Sequence, residues 1–278
     1  MKTHLTLAYS PCPNDTYIFG GIALNLIESP LTYDIALADI AALNTMAQAG
    51  EYDVIKLSYH AWASMIDDYQ MLPYGSALGF GVGPLLIVNP GTELSDIIRV
   101  AIPGKHTTAN FLLDFAYKDY GFEKVEMVFS DIESELKSGR VDAGVIIHEN
   151  RFTYAERGFV CIQDLGDYWE KKTELPIPLG GIAIKRSLDD RVKSQVARDI
   201  KSSIQLADDN FTVISSYIKQ HAQEMDISVM QQHIDLYVNQ STRGLSDTDR
   251  ASIDYLLSEI ANAGNLSPKD GQNWLFDQ

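Results

Sequence analysis

Leu5-Thr6-Leu7-Ala8-Tyr9 runs directly into Ser10-Pro11-Cys12-Pro13-Asn14-Asp15-Thr16. A short β-prone run closes on a stiff turn, and an apolar, helix-like stretch follows over residues 16–27. That is the opening of a β-α unit. The unit then repeats. Residues 33–37 read as a second strand, and residues 39–49 as a helix ended by Gly50. Asp53-Val54-Ile55-Lys56-Leu57-Ser58 reads as a third strand, leading into a helix over residues 59–65. Strands alternating with helices predict an α/β fold around a mostly parallel sheet.

The pattern changes beyond this point. Residues 75–83 are glycine-rich, and Pro84-Leu85-Leu86-Ile87-Val88 reads as a buried strand. A second series starts at Arg99-Val100-Ala101-Ile102. It continues with a helix over 107–120, a strand over 125–129, a helix over 132–138 and a strand over 143–147. Ile182-Ala183-Ile184 reads as a strand returning the chain to the first unit, and residues from 188 onward are nearly all helical. One helix opens on a capping signature, Ser246-Asp247-Thr248-Asp249, and stops at Gly264. The expectation is two α/β lobes: residues 1–98 in the first, 99–184 in the second, and 185–278 as helices packing back on the first.

Composition narrows the function. The 278 residues include 22 Lys+Arg against 38 Asp+Glu, a formal net charge of -16. Such a surface repels phosphate backbones and anionic bilayers, so neither a nucleic acid nor a membrane is an expected partner. The chain lacks an apolar run of the roughly 20 residues that a membrane helix needs. It also shows no basic-then-apolar leader at the N-terminus. Two cysteines, Cys12 and Cys161, make no disulfide framework. A cytoplasmic protein is expected.

Ligands of open α/β sheets bind outside the carboxyl ends of the strands, which directs attention to the residues just after each strand. After the first strand, Ser10 and Asp15 stand on the Pro-flanked turn, where Asn14 or Asp15 is expected to cap the helix. Cys12 reads as a small buried thiol rather than a nucleophile, since no histidine is near it in sequence. Lys56 and Ser58 end the third strand, with a charge and a hydroxyl for an anionic ligand. Thr107 and Thr108 open a helix whose free N–H groups, together with the Thr hydroxyls, are expected to form a neutral anion receptor. His148 follows the β-branched run Val145-Ile146-Ile147, and neutral imidazole is a suitable general base. Of the other histidines, His60 and His106 are expected near the cleft, His221 and His233 in helices, and His4 before the first strand. The aromatics of Asp167-Tyr168-Trp169-Glu170 and Arg151-Phe152-Thr153-Tyr154 fit either a pocket wall or the core. No HExxH, no paired Cys/His metal spacing, no GxGxxG and no Walker loop occurs, so no metal and no cofactor is expected.

The blocks around Ser10-Pro11-Cys12-Pro13-Asn14-Asp15, Lys56-Leu57-Ser58, Thr107-Thr108, Ile147-His148-Glu149-Asn150-Arg151-Phe152-Thr153-Tyr154 and Leu175-Pro176-Ile177-Pro178-Leu179-Gly180 together resemble the 1,4-dihydroxy-6-naphthoate synthase family of the futalosine route to menaquinone. The resemblance implies a fold like type 2 periplasmic binding proteins, two-lobed, with the substrate in the interlobe cleft. It implies a carbon–carbon lyase that converts cyclic dehypoxanthine futalosine to 1,4-dihydroxy-6-naphthoate and releases dihydroxyacetone. His148 would be the proton acceptor, and Lys56, Leu57, Ser58, Thr107 and Thr108 would contact a small anionic substrate bearing an aryl carboxylate. Chorismate dehydratase of the same route and a non-catalytic solute-binding protein are the competing readings. Assembly as a homodimer is left open.

Overall fold

The computed structural model describes residues 3–222, 226–263 and 273–276. Its strands are β1 (Thr3–Tyr9), β2 (Leu31–Leu37), β3 (Val54–Ser58), β4 (Tyr69–Met71), β5 (Ala77–Gly79), β6 (Leu85–Val88), β7 (Arg99–Ile102), β8 (Glu123–Glu126), β9 (Ala143–Ile146), β10 (Val160–Asp164) and β11 (Ile177–Lys185). They form two sheets. The first runs β2-β1-β3-β11-β4, with β5 also on β11; the second runs β10-β6-β9-β7-β8. Each sheet is the centre of one lobe.

The expected β-α repeats are present. β1 is parallel to β2 and β3, and β7 is parallel to β8 and β9. The sheets are nevertheless mixed, because every crossing strand enters antiparallel. β11 opposes β3 and β4, and β6 opposes β9 and β10. β11 is longer than the expected run at 182–184. Its first half, Ile177 to Gly180, holds Pro178 and Gly180, which mask the strand in sequence, yet Gly180 is what lets β11 reach β3. A Cβ at Gly180 would stand 2.7 Å from the Leu57 carbonyl oxygen.

The expected division at residue 98 does not match the change of sheet. Leu85–Val88, placed with the first lobe by sequence, pairs on both sides within the second sheet. The chain therefore crosses just before it, at residues 80–84. There Gly83 lies against Gly166, and a Cβ on Gly83 would come within 2.3 Å of the Gly166 Cα. β4 and β5, with three residues each, are too short for periodicity to reveal them, and β10 is not among the strands read from the sequence.

Two cores flank the first sheet. Leu7, Tyr9, Ile18, Phe19, Ile200 and Ile204 are buried together on one side, where the helices Pro13–Ala23 and Asp190–Asp209 pack. Leu57, Trp62, Met71 and Ile253 belong to the other, which continues into the second lobe through Leu86, Val100 and Trp169. The helix after the capping signature spans Asp247–Asn262, with Ser246 as its N-cap. Its expected stop at Gly264 lies outside the described residues. Among the described residues, no helix is long and apolar enough to cross a membrane.

Candidate active site

β1 ends at Tyr9, and the turn Ser10-Pro11-Cys12 sets up the helix Pro13–Ala23 with proline at its first position, where a missing N–H costs nothing. The N-cap is Cys12, and its side chain makes no capping bond. Asn14 and Asp15 do not cap, contrary to expectation, because both are buried and turned to other partners. Asp15 Oδ2 accepts from the Ser10 hydroxyl at 2.7 Å and its Oδ1 pairs with Lys56 Nζ at 2.9 Å. Lys56 also donates to the Gly75 carbonyl at 3.1 Å. With Asp15 and Lys56 2 % and 4 % exposed, this is a buried, mutually neutralising pair. Lys56 thus brings one remaining N–H, and not a free positive charge, to a ligand.

β3 alternates its side chains, and this separates the expected trio. Lys56 and Ser58 line a cavity between the lobes; Leu57 points the opposite way and is fully buried in the core. The Leu57 side chain therefore does not line the cavity. The Ser58 hydroxyl accepts from Asn44 at 3.1 Å and keeps its own proton to donate.

Thr107 and Thr108 face the same cavity from the second lobe. Thr107 is the N-cap of the helix Thr108–Tyr117, accepting from the Asn110 N–H at 3.2 Å and donating to the Gly104 carbonyl at 2.7 Å. Thr108 donates to the Leu179 carbonyl at 2.7 Å. Both hydroxyl protons are committed to backbone. The donors left for an anion are the first-turn N–H groups of Thr108 and Ala109, which a helix of this length aligns with its dipole.

His148 comes one residue beyond the Ile147 that follows β9, and it has φ 59°. This left-handed conformation is uncommon for a residue with a side chain and aims the imidazole into the cavity. Phe129 meets the ring edge-on at 4.9 Å between centroids. Burial lowers the His148 pKa below its ordinary value, opposed in part by the Glu149 and Asp15 carboxylates. The ring is therefore neutral near pH 7 and can accept a proton.

Two partners of His148 were not legible in the sequence. Cys12 Sγ lies 3.5 Å from His148 Nδ1, bringing together residues far apart in the chain. His233, on the helix Ile227–Tyr237, stacks on His148 with ring centroids 6.2 Å apart. The signal for His233 was its position four residues before Tyr237, on the face that also buries Met230 and Ile234. Hydrogen-bond polarity fixes the His233 tautomer. Asn14 Nδ2 donates to Asp15, so Asn14 Oδ1 accepts from His233 Nε2–H at 3.0 Å. The other ring nitrogen, Nδ1, faces Glu149 Oε2 at 3.6 Å, and neither atom has a hydrogen-bond partner. Desolvation, with His148 adding to it, holds the His233 pKa well below the ordinary value.

Cys12 Sγ, a His148 nitrogen and a Glu149 oxygen lie within 4.8 Å of one another, a donor set of the kind that takes a soft divalent cation. His60 and His106 do not reach this cavity and line a separate hollow with Lys105, Asn110 and Glu126. Trp169 is fully buried against Phe115 and Tyr255, so it belongs to the core. Arg151 straps the crossing, donating to the Gly83 carbonyl and Asp164.

The cavity between the two α/β lobes spans about 660 Å³, counting space that is open to solvent. This architecture defines a two-lobed protein of the periplasmic-binding-protein type. Consistent with that, the fold superposes on the alkanesulfonate-binding protein of Xanthomonas axonopodis pv. citri with a TM-score of 0.70 at 13% identity, over 94% of this chain and 92% of that one. A crystal structure of an Archaeoglobus fulgidus protein is nearer, with a TM-score of 0.88 and 34% identity over 94% and 97% of the two chains. Residues 5–262 match the family model described as menaquinone biosynthesis. A 1,4-dihydroxy-6-naphthoate synthase from Streptomyces coelicolor is 40% identical over 94% of both chains, and one from Thermus thermophilus is 38% identical over 95% of this chain and 96% of its own. This chain belongs to that menaquinone biosynthesis family and is an enzyme of that pathway.

Proposed function

We propose that the chain is a carbon–carbon lyase that converts cyclic dehypoxanthine futalosine to 1,4-dihydroxy-6-naphthoate and releases dihydroxyacetone. The observation that carries this reading is a neutral imidazole, His148, facing a helix N-terminus across the interlobe cavity. The substrate carboxylate binds the Thr108 and Ala109 N–H groups, with the Ser58 hydroxyl and the remaining Lys56 N–H beside it. A neutral receptor suits a ligand anion in a chain of net charge -16, because Lys56, the cation beside the cavity, is already spent on Asp15.

His148 then removes a proton from the substrate. The carbon–carbon bond to the three-carbon fragment breaks as the ring system becomes aromatic, and the imidazolium is the adjacent acid that returns a proton to the fragment. Aromatisation supplies the driving force, and the products together carry the oxidation level of the substrate. Water exclusion by the two lobes strengthens the aligned N–H dipoles.

The test is direct. Purified protein incubated with cyclic dehypoxanthine futalosine should yield naphthoate and dihydroxyacetone in equal amounts by mass spectrometry. Recovery of unchanged substrate would refute the assignment. Turnover of chorismate instead would favour the dehydratase reading, which the names of the matched relatives do not favour.

A further inference from the structure

Cys12 has no place in the mechanism above, yet the chain goes to some length to fix it. Prolines flank it on both sides, it is 4 % exposed, and its backbone carbonyl is held by Thr16 N–H at 3.0 Å. Its sulfur ends 3.5 Å from His148 Nδ1. Burial and the Glu149 carboxylate push the thiol well above its ordinary range, so the group is S–H and not a thiolate. A nucleophilic role is thereby disfavoured.

A neutral thiol beside a neutral imidazole allows two arrangements. In one, S–H donates to Nδ1, and the ring proton sits on Nε2. That tautomer cannot take a proton at Nε2. In the other, Nδ1–H donates to sulfur, and Nε2 carries the lone pair. Glu149 decides between them. Its Oε2 is buried, has no hydrogen-bond partner, and belongs to a carboxylate with an oxygen within 4.8 Å of both the sulfur and a His148 nitrogen. Its negative charge attracts the positive end of the S–H dipole and turns the sulfur lone pair toward His148. The same charge stabilises the imidazolium once it forms.

We infer that Cys12 is a positioning residue for His148: its sulfur accepts the Nδ1–H bond, with the S–H oriented by Glu149, and so holds His148 in the tautomer whose Nε2 is the base. The inference rests on His148 being the base. During the reaction Nε2 gains the substrate proton, Nδ1–H stays on sulfur, and Cys12 itself neither gains nor loses a proton. The function resembles that of the carboxylate in a hydrolase triad, with a thiol and a displaced carboxylate sharing the task.

The experiment joins nitrogen NMR with kinetics. In ¹⁵N-histidine-labelled wild type above pH 7, His148 should carry its proton on Nδ1. In Cys12→Ala the two tautomers should mix, kcat should fall about tenfold, and KM should hold. Cys12→Ser, which keeps an acceptor, should recover most of both. A wild-type His148 protonated on Nε2, or a Cys12→Ala enzyme with unchanged tautomer and kcat, overturns the proposal. His148→Asn is measured alongside. Loss of turnover there with full turnover in Cys12→Ala removes the positioning role and leaves the base assignment standing. Full turnover in His148→Asn removes both.

Discussion

Replacing His148 by asparagine separates chemistry from folding at this site. The residue sits at φ 59°, where most side chains cost about 1–2 kcal/mol, but asparagine is enriched in this region. The backbone penalty of the substitution is therefore small. The lost packing is the edge-on contact with Phe129 and the stack with His233, each worth about 0.5–1.5 kcal/mol, and the Cys12 contact goes with them. A domain with stability of order 5–15 kcal/mol stays folded after such a loss. Loss of a general base lowers turnover by about 10²–10⁴, equivalent to roughly 2.7–5.5 kcal/mol in the barrier. The chemical effect is thus the larger one and should appear in a fully folded variant. Calorimetric titration with substrate should give a dissociation constant within about threefold of wild type, because the anion receptor is on the Thr108 helix. Steady-state turnover should fall by the stated factor. Near-normal turnover in the folded variant, or a loss matched by an equal loss of affinity, would refute the base assignment.

Four further outcomes are expected. Since burial lowers the His148 pKa, the acidic limb of kcat/KM in wild type should lie below pH 6.5 and vanish in His148→Asn. His148 and His233 are both depressed in the folded state, so the unfolded chain binds more protons below pH 6.5; stability should fall on acidification from there, by up to about 1.4 kcal/mol per pH unit for each, measured as denaturant midpoints. Lys56→Met leaves Asp15 buried without its cation and should cost about 3–5 kcal/mol, while adding Asp15→Asn should restore part of that; equal stability for the single and double variants would disprove the coupling. Turnover should survive exhaustive chelation, and a loss restored by one divalent cation would show that Cys12, His148 and Glu149 hold a metal.

What the sequence revealed, and what it hid, follows from the range of the signals. The β-α repeats and the residues at strand ends are local, so Ser10, Asp15, Lys56, Ser58, Thr107, Thr108 and His148 could all be placed on one cavity from their spacing. Leu57 stands apart from that set through strand alternation, a rule equally local: it shares a segment with Lys56 and Ser58 but not a face. Cys12 and His233 were out of reach because their significance is a contact. Nothing near Cys12 in sequence announces a histidine, and a buried histidine on an apolar helix face looks like core until Asn14 is seen bonded to it. The threonines were expected to offer hydroxyls, yet those hydroxyls serve the helix end and leave its N–H groups to the ligand.

The strand order also dictates a sequence of assembly. The second sheet draws on one unbroken stretch, β6 to β10, whereas the first needs β11, which is made after all of it. Until β11 emerges from the ribosome, β3 lacks one neighbour, and β4 and β5 lack the strand they pair with. The lobe that begins the chain is therefore the one that finishes last. Its exposed strand edges are open to mispairing while the other lobe closes, and a nascent chain stalled before residue 177 holds Thr107, Thr108 and His148 on a completed sheet while Ser10, Asp15, Lys56 and Ser58 stand on an open one.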